Sequence, residues 1–154
     1  MLRSERRGFT LVEMMIAICV VGLMMLVGLP KAQAALRKAQ LRSARNAVIN
    51  LYQQARTRAI NENRLVTVNL NGTSVWVTAQ PRRTGGAHTC DCDTIGTVQD
   101  INGHYGVSMG YDGATYTVDP RGLGTAPGVD NKIWFTRSGI RDSFTITGYG
   151  RINK

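Results

Sequence analysis

The chain has 154 residues, 19 basic and 10 acidic, for a formal net charge of +9. Residues 31–64 hold eight basic side chains against Glu62, a net +7, whereas residues 65–154 carry only +1. The high isoelectric point therefore belongs to one segment, which argues against a nucleic-acid-binding class drawn from total charge alone.

The first element is a membrane segment. A short leader with Arg3, Arg6 and Arg7 against Glu5 ends at Gly8, and a 21-residue apolar run, Phe9–Leu29, follows with a single charge, Glu13. At 1.5 Å per residue this run spans about 31 Å as a helix, enough to cross a bilayer core. The cationic leader should stay on the cytoplasmic side, giving one pass with the remainder outside. An ordinary secretory signal would have a shorter apolar core ending in a small-residue cleavage site. An ionisable residue inside such a run is costly and marks a functional position. On a helix, Glu13 lies on the face of residue 9, four positions earlier.

Pro30 ends the apolar run, but helix-forming sequence continues through residues 31–62 without Gly or another Pro. Leu41, Ala44, Val48, Leu51 and Ala55 recur at spacings of three and four, one helical face, with Tyr52 and Ala59 bordering it. Lys38, Arg42, Arg45 and Arg56 share an adjoining face, where solvation or attraction to anionic lipid headgroups explains them. One long helix is expected over about Phe9–Glu62, ending at Asn63. Pro30 should kink it, because its ring clashes with the carbonyl of Leu26 and removes a donor. Gly22 and Gly28 weaken the same stretch.

Strand patterns take over afterwards. Leu65–Leu70 alternates, Asn71-Gly72 reads as a hairpin turn, and Ser74–Thr78 follows. Residues 80–103 read as a loop. Further short strands are expected near 105–111, 114–118, 132–137 and 143–147, punctuated by Gly and Pro. A long N-terminal helix followed by antiparallel strands makes an α+β chain, with the apolar helical face packed on a sheet. The division is leader 1–8, membrane helix 9–29, amphipathic continuation 30–63 and β-rich head 64–154.

Cys19 falls in the membrane run and serves as a small apolar residue. Cys90 and Cys92 fall in the exported part, where two thiols are not expected to stay reduced. Cys-x-Cys beside His88 lacks zinc-ligand spacing, so a strained Cys90–Cys92 disulfide or an intermolecular link is expected in place of a metal. No nucleophile with a base and an orienting group is identifiable, so neither an enzyme nor a cofactor is expected.

The stretch Arg7-Gly8-Phe9-Thr10-Leu11-Val12-Glu13 closely resembles the processing site of type IV prepilins and type II secretion pseudopilins. The resemblance implies that a prepilin peptidase cuts between Gly8 and Phe9 and that the new amino terminus on Phe9 is methylated. It implies further that Glu13 pairs with the amine of Phe9, its own or a neighbour's, during assembly. Asp119-Pro120-Arg121-Gly122, Ile133-Trp134-Phe135, residues 143–147 and Gly150-Arg151 together resemble the GspH/FimT group of minor pseudopilins, which carry a long helix and a β-rich head. On that resemblance the chain is a minor pseudopilin of a type II secretion apparatus in the inner membrane. Its partners would be other pseudopilins or pilins, the peptidase, an inner-membrane assembly platform and membrane lipid. The alternative is a FimT-like minor type IV pilin that binds DNA for uptake. The tail Gly150-Arg151-Ile152-Asn153-Lys154 is similar to the Gly-Arg-x-Arg end of such proteins, with Lys154 one position late. Arg137 and Arg141 would then add phosphate contacts to Arg151 and Lys154.

Overall fold

The computed structural model describes residues 9–80 and 93–153. The chain divides into two compact units, Met1–Leu36 and Arg37–Lys154. Helix α1 is Leu11–Glu62 and contains Pro30. The proline has no N–H for the carbonyl of Leu26. Asn63 follows α1 with φ of 49°, a left-handed residue that stops the helix. Between Phe9 and Leu29 the described apolar side chains of this first unit face outward, Leu11 and Leu26 being more than 75% exposed. A helix of this length and composition suits a bilayer.

The second unit holds two four-stranded antiparallel sheets. The first has the order β3-β2-β1-β5, with β1 Val66–Asn71, β2 Ser74–Ala79, β3 Asp93–Asp100 and β5 Thr115–Val118. The second has the order β4-β6-β7-β8, with β4 Ser108–Tyr111, β6 Asn131–Arg137, β7 Ile140–Ile146 and β8 Ile152–Asn153. A short helix α2, Ile101–Tyr105, lies between β3 and β4. The architecture is the expected α+β arrangement of a long helix and antiparallel strands.

One core joins these elements. Leu41, Ala44, Val48, Leu51 and Ala55 on α1 are buried with Val66, Val68, Leu70, Val75 and Val77 of the first sheet and Ile133, Phe135, Phe144 and Ile146 of the second. The rings of Phe135 and Phe144 stack with centroids 6.2 Å apart. Tyr52 and Ala59, placed by spacing at the border of the apolar stripe, are fully inside, at 1% and 0% exposure. The stripe is wider than a strict heptad seam because it meets two sheets.

Four local expectations are corrected. The segment 80–103 is not all loop: residues 93–100 form β3 and 101–105 form α2. Asp100 caps α2, its carboxylate accepting from the N–H of Asn102, and Gly106 closes it with φ of 61°. The strand expected from Tyr105 therefore begins only at Ser108. In the hairpin, Asn71 still pairs with Ser74, so the two turn residues are Gly72 and Thr73. Of these only Gly72 takes positive φ, 59°, as a type II′ turn requires. Finally, the adjoining basic face is not uniformly solvated, because Arg45 is half-buried and ion-paired to Asp142 at 3.0 Å.

Candidate functional site

The N-terminal positions come first. Thr10 stands just before α1, and its Oγ1 accepts from the backbone N–H of Glu13 at 3.2 Å. The N–H of Met14 bonds the carbonyl of Thr10. Thr10-x-x-Glu13 is thus the sequence signature of a capping box, in which one free donor of the first helical turn is satisfied. Reading Glu13 for its charge alone overlooked this, although Thr three residues before Glu signals it. Glu13 also sits where the helix dipole favours a negative charge. Both Phe9 and Glu13 are exposed in the single chain. Gly8 lies outside the described residues, as do Cys90, Cys92 and Lys154.

The remaining candidates are not gathered into one site. The guanidinium of Arg137 donates to the carbonyls of Tyr105 and Gly106, tying β6 to the end of α2. Arg141 lies over the ring of Trp134, 4.9 Å from its centroid. A side chain at Gly110 would overlap that ring, so glycine lets Trp134 lie across β4. Arg151 is exposed and carries no carboxylate partner among the described residues.

Arg151 belongs instead to a seam between α1 and the C-terminal segment. The hydroxyl of Tyr52 donates to the carbonyl of Gly150 at 3.0 Å, and that of Tyr116 to the carbonyl of Thr147 at 2.8 Å. The two rings meet edge-on, centroids 5.4 Å apart at 75°. Burial is the largest influence on both phenols and holds their pKa values above the usual 10.0. Around them the chain turns tightly. The N–H of Gly150 bonds Thr147, that of Thr147 bonds Arg151, and that of Arg151 bonds the Thr147 hydroxyl. Gly150 has φ of 90°, and a Cβ there would lie 2.6 Å from the Tyr52 oxygen. This seam borders a cleft of about 430 Å³ lined by Gln53, Arg56, Tyr149, Gly150, Arg151 and Ile152. Arg56 and Arg151 lie 95 positions apart in the sequence, and nothing local joins them.

Residues 3–29 match the family model described as the prokaryotic N-terminal methylation motif. The chain is similar in structure to the type IV minor pilin FimU of Pseudomonas aeruginosa at 15% identity, with a TM-score of 0.58, covering 75% of this chain and 88% of that one. A second crystal form of FimU gives a TM-score of 0.52 at 15% identity, covering 73% and 90%. The minor pseudopilin EpsH from the type 2 secretion system of Vibrio cholerae gives 0.49 at 11% identity, covering 71% and 94%. No curated protein matches the chain by sequence. The chain thus carries the N-terminal methylation motif and a long-helix, β-rich fold similar to that of the type IV minor pilin FimU.

Proposed function

We propose that this chain is a minor pseudopilin of a type II secretion filament. It is made as a precursor in the inner membrane with the head outside, cut between Gly8 and Phe9 by a prepilin peptidase, and methylated on Phe9. It then joins other pseudopilins through an inner-membrane assembly platform and acts by assembly, with no catalysis of its own. The observation that carries this reading is the methylation motif over residues 3–29, which includes an apolar helical run whose described side chains face outward. The leader 1–8, the membrane segment 9–29 and the amphipathic continuation 30–63 keep their separate roles in it.

A second reading is a minor pilin of a type IV pilus that binds DNA; the likeness in fold to FimU, a type IV minor pilin, supports the pilus part of it. Against DNA binding, Arg137 is committed to two carbonyls and Arg141 to Trp134. Of the four basic candidates, Arg151 alone is an uncommitted cation among the described residues.

Intact mass of the membrane-extracted protein tests the common part. It should begin at Phe9 with one added methyl group, and Gly8→Val should leave the full precursor. A mature start elsewhere overturns the reading. Gene neighbourhood separates the two systems, secretion genes for the first reading and pilus or competence genes for the second.

A further inference from the structure

We infer that the cleft between Arg56 and Arg151 docks a carboxylate-bearing segment of a neighbouring, different filament subunit. The inference rests on the filament reading above and adds the chemistry of the partner. It starts from the distribution of unpaired charge. Seven carboxylates are described in the second unit, and six are engaged within the chain. Glu62 pairs with Arg58 and Arg64, Asp93 with Arg64, and Asp142 with Arg45. Asp100 caps α2, Asp119 binds Arg121 and the N–H of Leu123, and Asp130 accepts from Gly148. Of these seven, only Asp112 is left. Arg56 and Arg151 have no carboxylate partner among the described residues, and both line one cleft. Among the described residues of its second unit, a second copy of this chain thus offers no acidic patch to match the cleft, and like charges facing each other are repulsive.

The cleft is built for a protein side chain. Tyr149, 66% exposed, and Ile152 add apolar surface beside the two guanidinium groups. Tyr and Arg are enriched where protein interfaces draw their binding energy. The Tyr52–Gly150 bond and the three bonds between Thr147, Gly150 and Arg151 hold the C-terminal wall in place. The other wall is α1 itself, with Gly122 seated against Ile60 and Arg56: a Cβ there would lie 2.8 Å and 3.1 Å from them. Prearranged walls lower the ordering cost of binding. Nucleic acid fits less well. Arg45, which would link Arg56 to Arg42 and Lys38 in a phosphate-tracking row, is spent on Asp142. Residues 65–154 add only +1 to the field that would steer a polyanion.

Two crosslinking positions in the full-length chain, in membranes of its own cell, test this. Gln53→p-benzoylphenylalanine reports on the cleft, and Met24→p-benzoylphenylalanine reports on helix packing in the membrane run. We expect the Gln53 probe to link to an acidic segment of a different protein that also carries an N-terminal methylation motif. Arg56→Glu with Arg151→Glu should lower that yield about tenfold and leave the Met24 crosslinks unchanged. Arg56→Lys with Arg151→Lys should retain much of it. Filament crosslinks from Met24 with none from Gln53 would overturn the cleft inference and leave the filament reading standing. Loss of both would overturn the two together. A Gln53 crosslink to nucleic acid, removed by nuclease, or to a second copy of this chain would also overturn the inference.

Discussion

The hydroxyl of Tyr52, toward the C-terminal end of α1, donates to the carbonyl oxygen of Gly150, 98 residues later, at 3.0 Å. This bond, with that of Tyr116 to Thr147, fixes the C-terminal segment to the helix. Tyr52→Phe keeps the ring in the core and leaves the Gly150 carbonyl without its donor. The expected cost is about 1–1.5 kcal/mol. Denaturant unfolding of the full chain in detergent should show a lower midpoint with an unchanged slope. An unchanged midpoint would mean that water replaces the bond at no cost.

The same pair sets an alkaline limit. Burial raises both phenol pKa values above 10.0, the folded values exceeding the unfolded ones. Below pH 10 both states hold these protons, and the folded stability is intact. As pH rises past 10 the unfolded chain releases protons that the folded chain retains, so stability falls. Unfolding midpoints measured upward from pH 9 should drop, and Tyr52→Phe with Tyr116→Phe should flatten the slope. A slope of the same steepness in the double variant would assign the alkaline limit to other groups.

Gly124 is required by close packing. A Cβ there would overlap the Tyr116 hydroxyl and the carbonyl of Gly148. One of these is backbone and cannot swing aside. Gly124→Ala should therefore cost roughly 2–4 kcal/mol and loosen the Tyr116–Thr147 bond. Tyrosine fluorescence and the unfolding midpoint would read this. By contrast Gly128→Ala, with nothing within 4 Å of its added carbon but φ of 87°, should suffer only backbone strain.

These tight glycine sites show where sequence reading reached its limit. The buried face of α1 was legible because a packed helix repeats its apolar residues every three to four positions. β1 was legible from alternation, and β2, β5, β6 and β7 from short apolar runs between turn residues, their ends shifting by at most three residues. β3 was not, because it is a sheet edge exposed on both faces, with Ile95 and Gln99 only partly covered. Without a buried side it has no alternation to find. Its bulge opposite Trp76, where Gly96 takes φ of 78°, breaks any remaining period. At the candidate sites, the motif around Gly8 and Glu13 was legible because it is contiguous. The cleft of Arg56 and Arg151 was not, because it is made by folding.

The Arg45–Asp142 pair joins α1 to β7 and is largely withdrawn from water, with side chains 19% and 25% exposed. Such a pair gains less screening than a surface one but costs desolvation. Asp142→Asn leaves Arg45 half-buried without a counter-charge and should cost about 1–2 kcal/mol. Arg45→Gln with Asp142→Asn should recover part of that loss. A double-mutant cycle measures the coupling, and strictly additive losses would show that the pair contributes no net stability.

Glu13 carries two readings that one pair of substitutions separates. As a charge it would meet the amine of Phe9 in a neighbouring subunit during assembly. As the third residue of the capping box opened by Thr10, it would serve only to start α1. Glu13→Val removes both properties and makes the run more apolar, so insertion and cleavage should persist. Glu13→Gln keeps a side chain suited to the capping box and removes only the charge. If pairing is the function, both variants should be processed normally and both should lose crosslinks to other filament subunits, because the partner amine is left without its anion. Retention of crosslinks by Glu13→Gln, with loss in Glu13→Val, would assign Glu13 to helix capping instead.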